Sequence, residues 1–115
     1  NSIFMISEYN LQTSSFLLQV SMLEKIGFKS QFQAQESGIR SLTTQRVYQP
    51  QEVNIINKWQ FDERPAQQQA CILYALESNN GERGILIDFI GSDHDQRVSD
   101  FIRQLEGLRR ENRYR

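Results

Sequence analysis

Ala70-Cys71-Ile72-Leu73-Tyr74-Ala75-Leu76-Glu77-Ser78 and Arg83-Gly84-Ile85-Leu86-Ile87-Asp88-Phe89-Ile90-Gly91, joined through Asn79-Asn80-Gly81-Glu82, decide the fold. Both runs are apolar at odd and even positions alike, as in strands covered on two faces. Asn-Gly between them favours a two-residue turn, because both central positions of such a turn need positive φ. With Asn80-Gly81 in the turn, Leu76 is expected opposite Ile85, Tyr74 opposite Ile87 and Ile72 opposite Phe89. The other face then carries Ala75 with Leu86, Leu73 with Asp88 and Cys71 with Ile90. A central antiparallel hairpin follows.

Working back along the chain, Val53–Phe61 alternates, with Val53, Ile55, Trp59 and Phe61 on one face and Asn54, Lys58 and Gln60 opposite. Asn57 interrupts the apolar face, and the run reads as a half-buried strand. Tyr48-Gln49-Pro50 reads as a turn, since Pro50 steers Gln49 away from helix. Phe32 and Ala34, then Ile39 and Leu42, suggest two short polar strands turning at Ser37-Gly38. A helix is expected over Ser14–Ile26, capped by Thr13, Ser14 or Ser15. Phe16, Val20, Leu23 and Ile26 form its apolar stripe, and Leu17, Leu18 and Met22 widen it, so burial on more than one side is expected. Gly27 should end it, with Phe28 folding back on the last turn. After the hairpin, Asp95–Glu111 keeps a helical stripe of Val98, Phe101, Ile102, Leu105 and Leu108, followed by a basic tail from Arg109 to Arg115.

These elements predict one α+β domain over residues 1–115, with a flexible segment 1–13: an N-terminal helix, a mainly antiparallel sheet of about four strands, and a C-terminal helix. Both helices are expected on the face carrying Tyr74, Leu76, Ile85, Ile87 and Phe89. The opposite face (Cys71, Leu73, Ala75, Leu86 and Ile90) would then be bare. A bare apolar face of that size predicts self-association as a homodimer.

Composition excludes several functions. With 13 Lys+Arg against 14 Asp+Glu, the net charge of -1 lacks the surplus of cations that phosphate neutralisation requires, so nucleic acid is not an expected partner. Cys71 stands alone and can form neither an internal disulfide nor a cysteine zinc site. The apolar stretch Phe16–Ile26 is broken by Gln19, Ser21, Glu24 and Lys25, well short of the roughly 20 apolar residues of a membrane span. No basic leader with a cleavage site precedes it, and a cytoplasmic protein is expected.

Few residues offer chemistry. Asp88 sits mid-strand among apolar neighbours, where a carboxylate is costly unless paired, and is a candidate binding acid. Trp59 and Tyr74 are candidates to line a ligand pocket, with core packing as the plainer role. In Asp93-His94-Asp95, Asp95 or the preceding Ser92 should cap the last helix, leaving Asp93 and His94 in solvent. Cys71 lacks the electropositive, accessible setting of a nucleophile. Gly81-Glu82-Arg83-Gly84 belongs to a hairpin turn, and the arginines near the C-terminus read as a solvated end. No catalytic set, metal site or cofactor is expected.

Beyond these patterns, Leu23-Glu24-Lys25-Ile26-Gly27-Phe28, Tyr48-Gln49-Pro50-Gln51-Glu52-Val53, Trp59-Gln60-Phe61, Ala70–Ser78, Gly84-Ile85-Leu86-Ile87-Asp88, Gly91 and Ser99-Asp100-Phe101-Ile102 resemble a family of small bacterial proteins. Many of its members carry the name phosphoribosylpyrophosphate synthetase. The resemblance spans residues 15–106 and departs from the family at Ile90, where tyrosine is expected, and over residues 64–69, where an acidic stretch is expected. The name implies a catalyst holding ATP, ribose phosphate and magnesium. A phosphoribosyl site needs paired acids at a strand end and a Thr/Gly-rich turn whose N–H groups cradle phosphate. Ile85–Ser92 offers the single acid Asp88 and no such turn. The expected function is therefore a non-enzymatic binding or regulatory module. A phosphoribosyl- or nucleotide-handling enzyme and an RNA-associated protein are the alternatives.

Overall fold

The computed structural model describes residues 14–62 and 69–113. The expected flexible segment 1–13, most of the glutamine-rich loop and the last two residues of the basic tail lie outside the described residues. The elements run α1 (Ser14–Lys25), β1 (Ser30–Gln35), β2 (Gly38–Ser41), β3 (Val47–Tyr48), a 3-10 turn (Pro50–Glu52), β4 (Val53–Phe61), β5 (Cys71–Ser78), β6 (Arg83–Phe89) and α2 (Gln96–Arg113). The six strands form one mixed sheet in the order β3-β2-β1-β6-β5-β4. Every neighbouring pair is antiparallel except β1 and β6, which run parallel. The α+β class with a helix near each end stands, but the sheet has more strands than expected and is mixed. Two-residue β3 (Val47–Tyr48) ends in the first residue of the expected turn, and side-chain alternation carries no signal for which strands pair.

The central hairpin is shifted by one residue from the expected register. Tyr74 lies opposite Leu86, Leu73 opposite Ile87 and Ile72 opposite Asp88. The cause is the turn. Gly81 alone adopts positive φ (+90°), and Asn80 does not. A two-residue primed turn needs both, so the chain uses a three-residue loop, closed by Ser78 N–H to Glu82 O at 2.8 Å. A one-residue slip sends every β6 side chain to the other face.

That slip reorganises the layers. Tyr74, Leu76 and Leu86 share a core with Val98, Phe101, Ile102 and Leu105 of α2, and with Phe32, Ile39 and Tyr48. Leu73, Ala75 and Ile85 face the opposite side, packed against Leu23 of α1 and Phe28. The helices therefore cover opposite faces of the sheet, not one. The face expected to be bare is occupied by α1, so the original reason for a dimer falls away.

β4 serves both cores. A bulge between Ile55 and Asn57 adds one residue, so Ile55 pairs with Leu76 and Trp59 with Leu73. Val53 and Ile55 thus pack on the α2 side, while Trp59 and Phe61 pack on the α1 side. The four do not share a face as their spacing suggested, because an inserted residue inverts the alternation after it. Phe61 meets Phe16 edge-on, with ring centroids 5.5 Å apart. The basic end also departs from expectation: α2 continues to Arg113, and Arg109 Nη1 donates to Ile55 O at the bulge (3.3 Å).

α1 ends as read, with Phe28 N–H bonded to Leu23 O and Gly27 N–H to Glu24 O. Its burial does not follow expectation. Leu23 is buried and Phe16 and Val20 half-buried, but Leu17, Leu18, Met22 and Ile26 are 53–65% exposed.

Candidate functional site

The parallel pair opens a crevice. β1 and β6 pair only at Ser30↔Gly84 and Gln31↔Ile85, although β1 continues to Gln35 and β6 to Phe89. The chain leaves these strands by different routes, β1 turning in-plane to β2 and β6 passing through residues 90–95 to α2. Diverging exits leave space beyond the carboxyl ends of parallel strands, a common place for ligands. A cavity of about 260 Å³ fills it, lined by Phe32, Gln33, Leu42, Ile87, Phe89 and Asp93 among others.

Strand parity fixes what the main chain presents there. Leu42 N–H bonds Gln31 O, and Ile90 N–H bonds Ala70 O. The main-chain groups of Phe32, Ala34 and Ile87 therefore point into the gap between β1 and β6. The Gln31↔Ile85 pairing takes the Phe32 N–H to Ile85 O, and past it no ladder pairing satisfies the Phe32 carbonyl or the main-chain groups of Ala34 and Ile87. The crevice thus combines open main-chain donors and acceptors with apolar walls and a carboxylate at its rim.

Behind one wall lies a polar cluster. Asp88, only 7% exposed, points toward α2, where Ser99 Oγ is 3.3 Å from its Oδ2. His94 Nδ1 is 2.9 Å from Phe89 O and 3.4 Å from Asp88 Oδ1, and its Nε2 is 3.3 Å from Ser99 Oγ. Asp88 Oδ1 is buried without a hydrogen-bond partner. Burial pushes the Asp88 carboxyl above its ordinary range, only partly opposed by His94 and Ser99. The bond to Phe89 O, foremost, holds the His94 imidazole above its ordinary value. Burial, then the Asp88 charge, raise the Cys71 thiol. Burial, Asp88 and Glu106 push the Tyr74 phenol up to about 12. Neither Cys71 nor Tyr74 is poised as a nucleophile or base near neutral pH.

Asp, His and Ser are the residue types of a nucleophilic triad, but here they form a closed triangle. The serine hydroxyl has a single hydrogen, and both the carboxylate and the imidazole lie within its reach. Ser99 is thus a bridge between the carboxylate and the imidazole, not a hydroxyl aimed at a substrate.

The structure brings together only part of the candidate set read from the sequence. Asp88 and Tyr74 share the α2 face, with Tyr74 buried in that core. Trp59 lies on the opposite face in the α1 layer, so Trp59 and Tyr74 do not line a common pocket. Asp95 caps α2: its Oδ1 accepts from Arg97 N–H at 3.0 Å and its Oδ2 meets Arg97 Nη2 at 2.9 Å. The Arg97 side chain, above all, holds Asp95 below the usual carboxylate range. Asp93 is exposed at the crevice rim. His94 is exposed, as expected, and its ring also meets Phe89 O and Ser99 Oγ. The sequence reading missed Ser99 and the crevice. Ser99 lies one helical turn beyond the cap, a signal usable only once Asp88 is placed on the face of α2.

Among the described residues, no group of three or more His, Cys, Asp and Glu side chains is arranged to hold a metal ion. No described helix is long and apolar enough to cross a membrane. Comparison with known proteins returned no matching family model, no matching curated protein and no matching solved structure.

Proposed function

We propose that this chain is a non-enzymatic binding or regulatory module of the bacterial cytoplasm, taking a small ligand in the crevice between β1 and β6. One observation carries the reading: the parallel pair separates after two positions and leaves unpaired main-chain groups facing each other across a cavity of about 260 Å³. Such groups are costly to leave without partners and are satisfied by water or by a ligand. A thermal-shift screen of nucleotides, phosphoribosyl compounds, amino acids and divalent metals tests it. A ligand at about 100 times its Kd adds about 2.7 kcal/mol of stability, which is a readable shift for a chain of this size. Gln33→Trp, at an exposed position on the crevice wall, should abolish the shift while leaving the unliganded melting temperature within a few degrees. Stabilisation by phosphoribosylpyrophosphate with magnesium, lost in Asp88→Asn but kept in Gln33→Trp, would replace this reading with the enzyme implied by the family name.

Self-association belongs to the same proposal, with a different surface. Leu18, Met22 and Ile26 recur every four residues along the outer side of α1, with Leu17 beside them, all more than half exposed. Packing this stripe against its two-fold copy would remove it from water, giving a homodimer. Burying a leucine or methionine contributes about 1.5–3 kcal/mol, so Leu18→Glu with Met22→Glu should weaken the dimer by at least roughly 100-fold. Light scattering across a wide concentration range measures this. A wild-type monomer at every concentration would sink the idea.

A further inference from the structure

We infer that Asp88, Ser99 and His94 form a proton-operated latch that holds residues 91–95, one wall of the crevice, against β6 and the first turn of α2. The inference rests on the proposed use of the crevice for its purpose, but the latch itself is readable without any ligand.

Counting hydrogens makes the argument. The Phe89 carbonyl, 2.9 Å from His94 Nδ1, requires a hydrogen on that nitrogen. When the imidazole is doubly protonated, Nε2–H donates to Ser99 Oγ and the serine hydrogen goes to Asp88 Oδ2. Nδ1–H then also faces Asp88 Oδ1 across 3.4 Å, the buried oxygen that has no hydrogen bond. Every group in the triangle has a role, and the buried negative charge is balanced. Removing one proton breaks the set. Nδ1 keeps its hydrogen for Phe89, Nε2 becomes an acceptor, and the serine hydrogen is contested between Nε2 and Asp88 Oδ2. One acceptor loses its donor, and Asp88 is left as a buried charge facing a neutral ring.

The remaining titratable groups around the cluster do not blur the switch. From β5, Tyr74 shares the face of Asp88 and Cys71 feels its charge from the other face, and both are shifted upward, away from the imidazole range. From α2, Glu106 pairs with Lys58 at 3.6 Å and bears on Tyr74. Beside the ring, Asp95 is held ionised by Arg97. The sign follows. A group whose proton is bound more tightly in the folded state stabilises below its unfolded value and loses that contribution as pH rises through its folded value. For His94 the loss starts near the ordinary imidazole value of about 6.5 and is complete above its raised folded value. The latch is closed on the acid side of that window and open on the alkaline side.

The latch spans three pieces of chain: β6 through Asp88 and Phe89, the segment carrying Asp93, His94 and Asp95, and Ser99 in α2. Phe89, Asp93 and Asp95 also line the crevice. Releasing His94 therefore frees the wall on which a ligand would rest, and occupancy of the crevice becomes coupled to pH.

The test uses the full chain without ligand. NMR titration reads the His94 ring, and amide hydrogen exchange reads Asp93–Val98 against the Leu73 amide as an internal core reference. After correction for intrinsic rates, protection over Asp93–Val98 should fall at least tenfold as pH rises through the His94 midpoint, while Leu73 stays protected. Ser99→Ala should move the His94 midpoint down and flatten the pH dependence of the loop, and Asp88→Asn should do so more strongly. Ser99→Ala keeps the test decisive even if Asp88→Asn folds poorly. A merely structural role would lower protection equally at every pH. An unchanged midpoint in Ser99→Ala, or loop protection independent of pH in the wild type, would overturn the inference. Gln33→Trp separates the two readings: it fills the crevice and removes thermal shifts, yet should leave the His94 midpoint where it was.

Discussion

Gly84→Ala should lower the melting temperature by at least roughly 10 °C, the scale expected for a loss of 2–3 kcal/mol in a chain of this size. A Cβ placed on Gly84 would lie 2.3 Å from Ser30 O and 2.8 Å from Phe32 Cε2. Ring atoms can shift, but the Ser30 carbonyl belongs to the strand itself. The position is also where β1 and β6 pair, at Ser30↔Gly84 and Gln31↔Ile85. Among the described residues, that short contact is the only strand pairing joining the β3-β2-β1 half of the sheet to the β6-β5-β4 half. Relieving the overlap means prising the halves apart, and overpacking at a well-packed seam costs about 1–3 kcal/mol before any lost pairing is added. Gly107→Ala supplies a contrast with the same chemical change. It lies inside α2 with no atom within 4 Å of the new methyl, so the substitution should stabilise by about 0.5–1 kcal/mol. Thermal denaturation of the two variants should show shifts of opposite sign. A Gly84→Ala protein melting within a few degrees of wild type would show that the seam tolerates separation.

The helices and strands were largely legible because burial imposes its pattern on side chains, and the stripe of α2 and the two-faced apolar run of β6 both survive in the structure. What the sequence left undetermined was parity. At the hairpin, Asn80-Gly81 carries the composition of a two-residue turn, but only Gly81 takes positive φ and the loop gains a residue. At β4, one bulged residue moves Trp59 and Phe61 to the layer opposite Val53 and Ile55. Either event is a single residue long and leaves no compositional trace, yet each inverts a face. The consequence for the site was direct: the expected register put Asp88 on the face away from α2, where Ser99 and His94 could not be its partners. The parallel β1–β6 pairing was invisible for another reason. It depends on contacts 54 residues apart, and a two-residue pairing offers no periodicity to detect. Gly84 was the available signal, since a glycine in a strand interior often marks a close backbone approach.

Glu82→Ala should cost about 2–3 kcal/mol at neutral pH, although its position reads as an ordinary turn residue. Its carboxylate gathers three hydroxyls from the stretch 41–48, far away in sequence: Ser41 Oγ at 2.5 Å, Tyr48 Oη at 2.6 Å and Thr44 Oγ1 at 3.0 Å. Ser41 and Tyr48 are both nearly inaccessible, at 0% and 4% exposure, so removing their acceptor leaves buried hydroxyls short of a partner. Tyr48 can turn to Asn80 Oδ1 at 3.1 Å, which offsets part of the loss, whereas Ser41 is left to its contacts with the Thr43 and Thr44 amides. The carboxylate ties residues 41–48 to the tip of the β5–β6 hairpin, a closure that no pair of adjacent strands supplies. Partial burial opposes its ionisation, but the hydrogen bonds from Ser41, Tyr48, Ser30 and Thr44 outweigh that and hold Glu82 below the usual carboxylate range. The sign is the reverse of that at His94. A lowered folded value gives stability that is present above the ordinary glutamate value of about 4.3 and is lost as pH falls through the folded value. Urea denaturation of wild type and Glu82→Ala should therefore show a gap that is steady above about pH 5 and closes as the wild-type carboxylate takes up its proton. A gap that stayed constant down to the acid limit of folding would mean that the side chain contributes through packing alone and that the hydroxyls are not held by its charge.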